Sequence, residues 1–125
     1  MRSDEERLLD ILDESGLVLK HVPARREEFD ADEVVQAALT RWLQNIGEAA
    51  SRLSSELRSQ HHEVPWQSII GMRHRVVHDY FFIDLSVVWR ACAADVPALV
   101  PQVEAILREL QKATAGRDGK RDESE

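Results

Sequence analysis

An all-α protein, an antiparallel bundle of about five helices, is what this sequence predicts, and three observations predict it. Apolar residues recur at helical spacing in every core-forming segment, two segments open on capping boxes, and the 125 residues include only five glycines and four prolines. With 43% hydrophobic and 31% charged residues the balance is that of a globular domain with a core, and strand formers dominate no segment.

The elements follow in order. Ser3 and Glu6 form a capping box, and Leu8, Ile11, Leu12, Val18 and Leu19 share one face of a first helix ending near His21, before Pro23. A second box, Asp30 with Glu33, opens a longer helix carrying Val35, Ala38, Leu39, Trp42, Ile46, Ala49, Ala50, Leu53 and Leu57, expected to reach about Gln60. Gly47 interrupts it at a cost of about 1 kcal/mol relative to alanine, which close packing of a neighbouring helix would explain. Pro65 starts a third helix with Trp66, Ile69, Ile70, Val76 and Val77. Asp84 caps a short fourth through Val87, Val88 and Trp89, and Asp95 with Pro97 starts a fifth through Leu99, Val103, Ile106, Leu107 and Leu110. The domain is thus expected over residues 1–114, with 115–125 a charged flexible tail that has too little apolar surface to order it.

The charged N-terminus and the absence of a long apolar run point to a soluble, cytoplasmic protein, and the single Cys92, between Ala91 and Ala93, to a reduced core thiol. A net charge of -7 argues against nonspecific coating of nucleic acid. The charge is uneven, however. From Arg52 to His78, arginines 52, 58, 73 and 75 outnumber the acids Glu56 and Glu63 and are joined by four histidines, so any phosphate site is expected there.

The chemistry concentrates in Gly71, Met72, Arg73, His74, Arg75, Val76, Val77, His78, Asp79 and Tyr80. A guanidinium is a permanent cation shaped for phosphate oxygens, and an imidazole exchanges a proton near neutral pH. Metal-independent RNA cleavage needs both, a base for the ribose 2'-hydroxyl proton and a cation for charge developing on the phosphate. Arg73 and His78 are the candidate catalytic pair, with His74, Arg75 and Glu48 as candidate auxiliaries. On one regular helix Arg73 and His78 would stand roughly 140° apart. Convergence therefore requires either a helix that ends near His78 or a second copy of the chain across a two-fold axis, and the dimer is favoured.

Arginine, four residues, histidine, one residue, tyrosine resembles the signature of HepT-like members of the HEPN superfamily. Val64 to Met72 before it, Phe81 to Leu85 with Trp89 after it, and Gln44 to Ala50 upstream are similar to that family too. The resemblance covers the first helix to about Leu110. It implies a HEPN-like dimeric bundle, an RNA-cleaving cleft between subunits, and the toxin role of a type VII-like toxin-antitoxin pair. It further implies a cognate minimal nucleotidyltransferase antitoxin that uses ATP to transfer AMP to Tyr80. His74 stands where many relatives have asparagine, which leaves the identity of the base open between His74 and His78. A non-catalytic alternative is a helical partner that docks the nucleotidyltransferase and presents Tyr80.

Other readings are plainer. Arg73 paired to Glu48 across helices would be structural, positioning, or both. His74 and His78 have the i, i+4 spacing of zinc ligands without a third ligand at a usual interval, so no metal is expected. His61 and His62 read as solvated, Arg41 and Arg75 as either an extension of the RNA path or a solvated helix face, and Trp42, Trp66 and Trp89 as core or subunit contacts.

Overall fold

The computed structural model describes residues 2–79 and 82–123, with side chains over 2–77 and 82–116. The fold is all-α. Helix α1 (Asp4–His21) starts on the expected capping box: Ser3 Oγ accepts from the Glu6 N–H at 3.1 Å while the Glu6 carboxylate accepts from the Ser3 N–H at 3.3 Å. Leu8, Ile11 and Val18 on its inner face are fully buried.

A short helix, α2 (Arg26–Asp30), then buries Phe29, an element the sequence reading lacks. It corrects the expected start of the next helix: Asp30 closes α2, and Asp32 caps α3 (Glu33–Ser51) by accepting from the Val35 N–H at 3.1 Å. Gln36 explains the tight junction, because its buried amide donates to the carbonyls of Phe29 and Asp30 at 2.9 and 3.1 Å.

Helix α3 also ends earlier than the expected Gln60. The chain turns at Arg52 and restarts as α4 (Ser55–Gln60), capped by Ser54 Oγ. The Asp4 carboxylate holds that break, accepting from the Ser54 N–H at 2.9 Å and hydroxyl at 2.6 Å. Leu53 and Leu57 remain buried on both sides of it, so the apolar stripe alone concealed the turn.

Helix α5 (Trp66–Arg75) follows Pro65 as expected but stops short of Val77. Two short antiparallel strands, β1 (Val77–Asp79) and β2 (Phe82–Ile83), replace its last turn. The β-branched Val76 and Val77 disfavour further helix, and the Asp84 N–H donates to the Val76 carbonyl at 2.8 Å, closing the ribbon onto the end of α5.

Asp84 caps α6 (Leu85–Arg90), accepting from the Val87 N–H at 3.2 Å. No break follows at Asp95 and Pro97, where a separate fifth helix was expected to begin. A π turn (Ala91–Asp95), in which the Val96 N–H reaches back to the Ala91 carbonyl, passes directly into α7 (Val96–Glu123). Pro101 costs about 3 kcal/mol inside the helix, against about 1.5–3 kcal/mol gained for each of the buried Val96, Leu99, Val103, Ile106 and Leu107. Burial wins. Past residue 114, where the sequence reading ends the domain, the backbone stays helical to Glu123, since extending an existing helix needs no new nucleus.

Helix α3 is the centre of the bundle, packing on α1 and α5, while α1 also packs on α7. Trp66 belongs to the core and donates its indole N–H to the His61 carbonyl at 2.9 Å, while Trp42 and Trp89 pack partly buried against that core beside His21 and Phe29. His61, expected to be solvated, is instead largely covered, lying between Glu63 at 3.3 Å and Glu109 at 3.6 Å; His62 and Arg41 are exposed. The Cys92 thiol is buried, and burial pushes it up to about 12, which keeps it protonated and inert. Among the described residues no helix is long and apolar enough to cross a membrane.

Leu43, fully buried on α3, tests the core directly. Leu43→Ala is expected to lower the unfolding free energy by about 2–5 kcal/mol with an unchanged urea m-value.

Candidate active site

Helix α5 comes unusually close to α3 at Gly47. A Cβ built there would lie 2.9 Å from Arg73 Cγ, 3.0 Å from the Ile69 carbonyl oxygen and 3.1 Å from the Arg73 nitrogen. The missing side chain, which the sequence reading assigned to close helix packing, lets the backbone of one helix rest against the other. Arg73 is the residue set down at the contact.

The next residue on α3, Glu48, meets the arginine. Glu48 Oε2 accepts from Arg73 Nη1 at 3.2 Å, and Arg73 Nε donates to the Ile70 carbonyl one turn back, also at 3.2 Å. On its other side Glu48 Oε1 accepts from Arg52 Nε at 3.0 Å. Hydrogen bonds from Arg52 first and Arg73 second hold the Glu48 carboxyl below the usual 4.5, so it is ionised at neutral pH. Arg73 keeps about a third of its side-chain surface exposed, which makes it both fixed and reachable.

The other candidates are distributed around this pair. His74 is exposed. Arg75 lies back along its own helix, donating from Nη2 to the Ser68 carbonyl at 2.6 Å and to Ser68 Oγ at 3.2 Å, so the structure ties it to Ser68 rather than to Glu48. His78 occupies the middle of β1, beyond the end of α5, so the angle of a continuous helix does not govern its relation to Arg73. The side chain of His78 and the whole of Tyr80 lie outside the described residues.

Arg52 is the member of the site that sequence reasoning missed. Its i, i+4 spacing from Glu48 was the available signal. A groove of about 210 Å³ adjoins Glu48 on the α1 side, lined by Asp10, Asp13 and Glu14 with Arg7 and Asn45. Its acidic wall disfavours phosphate. Among the described residues no group of three or more histidine, cysteine or acidic side chains is arranged to hold a metal ion.

With this geometry in place, comparison with known proteins becomes informative. Residues 5–106 match the family described as HepT-like, ribonuclease HepT-like. The chain belongs to the HepT-like ribonuclease family. A protein of Caldanaerobacter subterraneus subsp. tengcongensis, named as a candidate RNase, is 35% identical over 109 residues, covering 86% of this chain and 97% of that one. The "Probable ribonuclease HepT" of Thermococcus cleftensis is 34% identical over 80 residues, 64% of this chain and 73% of its own. A candidate RNase of Methanocaldococcus jannaschii is 31% identical over 100 residues, 79% and 92% of the two chains. No solved structure matches. The HepT-like family is one of ribonucleases, and the helix that carries Arg73 falls within the matched span.

Two expectations follow from the α3–α5 contact. In Gly47→Ala the new methyl meets backbone atoms that no rotamer change can move, so overpacking of about 1–3 kcal/mol outweighs the roughly 1 kcal/mol that alanine adds to helix propensity. The urea midpoint should therefore fall, where a merely tolerated glycine would let it rise. Glu48, with a folded pKa below its unfolded value, contributes stability above about pH 4.5 that is lost as pH falls through the lowered folded value. The stability gap between the parent and Glu48→Gln should accordingly be constant near neutral pH and close in acid, as read from urea unfolding at a series of pH values.

Proposed function

We propose that this ribonuclease is the toxin of a type VII-like toxin-antitoxin pair, an RNA endonuclease acting through Arg73 and His78 at a cleft between two copies of the chain. The observation that carries the proposal is Arg73 itself, held at 3.2 Å by Glu48 yet one-third exposed, on the last turn of the helix that leads into the His78 strand.

In the proposed reaction an imidazole takes the proton of the ribose 2'-hydroxyl. The freed oxygen forms a bond to the adjacent phosphorus, the bond from phosphorus to the 5'-oxygen breaks, and that oxygen takes up a proton as it leaves. Arg73 donates to the non-bridging oxygens as their charge grows. Glu48 and Arg52 act one step removed, fixing the guanidinium so that no reorganisation is needed during the reaction. His78 is the favoured base and His74, exposed one residue after Arg73, the candidate for a second proton-transfer role. Cleavage in this scheme uses no cofactor.

Control follows from the same segment. A cognate minimal nucleotidyltransferase is proposed to let the Tyr80 hydroxyl oxygen attack the α-phosphorus of ATP, expelling pyrophosphate and leaving AMP on the ring. The added bulk and negative charge would repel RNA.

With purified protein and single-stranded RNA, Arg73→Ala should cut the cleavage rate by about 100-fold or more, and Arg73→Lys should restore little, because a point charge does not reproduce the planar fork. His78→Ala should be similarly deficient and His74→Ala less so. An RNA with a 2'-deoxy sugar at the scissile position should resist the parent enzyme. Undiminished cleavage by both Arg73→Ala and His78→Ala would refute the catalytic assignment.

A further inference from the structure

The strand β2 presents one feature that neither the fold nor the catalytic pair uses. Phe82 is 66% exposed, the one exposed phenylalanine, tyrosine or tryptophan among the described residues. Its neighbour Ile83 turns inward and packs against the core, as strand alternation requires, so Phe82 stands on the outward face of the ribbon. Burial of the ring contributes nothing to folding.

Its position is specific. The ladder pairs Val77 with Ile83 and Asp79 with Phe82, and the irregularity between them leaves two β1 positions, 78 and 79, against the single position 82. Phe82 therefore pairs with Asp79, next to the His78 position in the ribbon. The Asp84 N–H bond to the Val76 carbonyl pins the same ribbon to the end of α5, one turn after Arg73. An exposed ring, the His78 position and the helix end that carries Arg73 thus lie on one short stretch of chain.

We infer that Phe82 is a stacking platform for an unpaired nucleobase beside the scissile phosphate, which makes single-stranded RNA the substrate class. The inference rests on the ribonuclease reading above and deepens it. A base offers a π-face whatever its identity, so one ring is sufficient for binding without sequence preference. In a duplex the bases are stacked on one another and their faces are unavailable. A docking surface for protein fits less well. The other exposed large apolar residues, Leu9, Leu17, Leu19 and Val34, lie on α1 and the start of α3, and a single ring is far smaller than a stable interface.

The test uses the full chain and a short single-stranded oligoribonucleotide with one mapped cleavage site, alongside the same oligonucleotide made uncleavable by a 2'-deoxy sugar. Phe82→Ala should raise KM about ten-fold with a smaller change in kcat, and should weaken binding of the uncleavable strand by a similar factor in fluorescence anisotropy. Phe82→Trp should match the parent and Phe82→Leu should not, because stacking needs a ring. Unchanged KM and binding in Phe82→Ala, or full rescue by leucine, would overturn the inference. So would loss of a parental dimer in sedimentation of Phe82→Ala, which would make the ring a contact between copies. The anisotropy arm reads the platform even if cleavage proves independent of Arg73, so the two proposals fail separately.

Discussion

The contact between α3 and α5 is closer than two side-chain-bearing helices allow, and the site is built on that closeness. With no Cβ at Gly47, the Ile69 carbonyl and the Arg73 backbone rest against α3, and the Arg73 side chain begins its course along the surface of the neighbouring helix. Glu48, one residue on, then lies within reach of the guanidinium. A wider separation would leave the arginine on a flexible stem. The energetic concession of a mid-helix glycine is thereby linked to the placement of a single cation.

From that contact outward the architecture is a matter of where α5 stops. Had it continued through Val77 as a regular helix, Arg73 and His78 would project in divergent directions. The chain instead leaves helical geometry at Val76, forms a ribbon with an irregular register, and is fastened by the Asp84 amide before α6 begins. Arg73 and His78 thus lie on a helix end and a strand, two elements with different side-chain periodicity. Irregular ladders of this kind re-aim side chains, which is their common use next to active sites.

Much of this was legible in the residues. The all-α class and the Ser3 and Asp84 caps follow from spacing and side-chain chemistry, while close packing at Gly47 and a Glu48 to Arg73 bridge were each one of two readings that the residues allowed. What escaped has identifiable causes. The break at Arg52 is invisible in an apolar stripe that Leu53 and Leu57 continue across it, and it is set by Asp4, some fifty residues away in sequence. The short α2 depends on the buried Gln36 amide, a tertiary bond with no local signature. The π turn defeats the expectation that Asp95 and Pro97 begin a new helix, because the apolar face of α7 outweighs its prolines. The ribbon is too short for alternation to announce it, so the exposure of Phe82 was found only in three dimensions, and the covering of His61 depends on Glu109, far away in sequence.

Two guanidiniums flank Glu48 and only one carboxylate stands between them. The cluster is therefore not a neutral pair but a triad with a residual unit of positive charge. Arg52 satisfies part of the acceptor capacity that Arg73 would otherwise claim in full, so the anion orients the second cation without cancelling it. On a chain whose overall charge is -7, and with an acidic groove on the α1 side of Glu48, the surplus is confined to the two guanidiniums themselves.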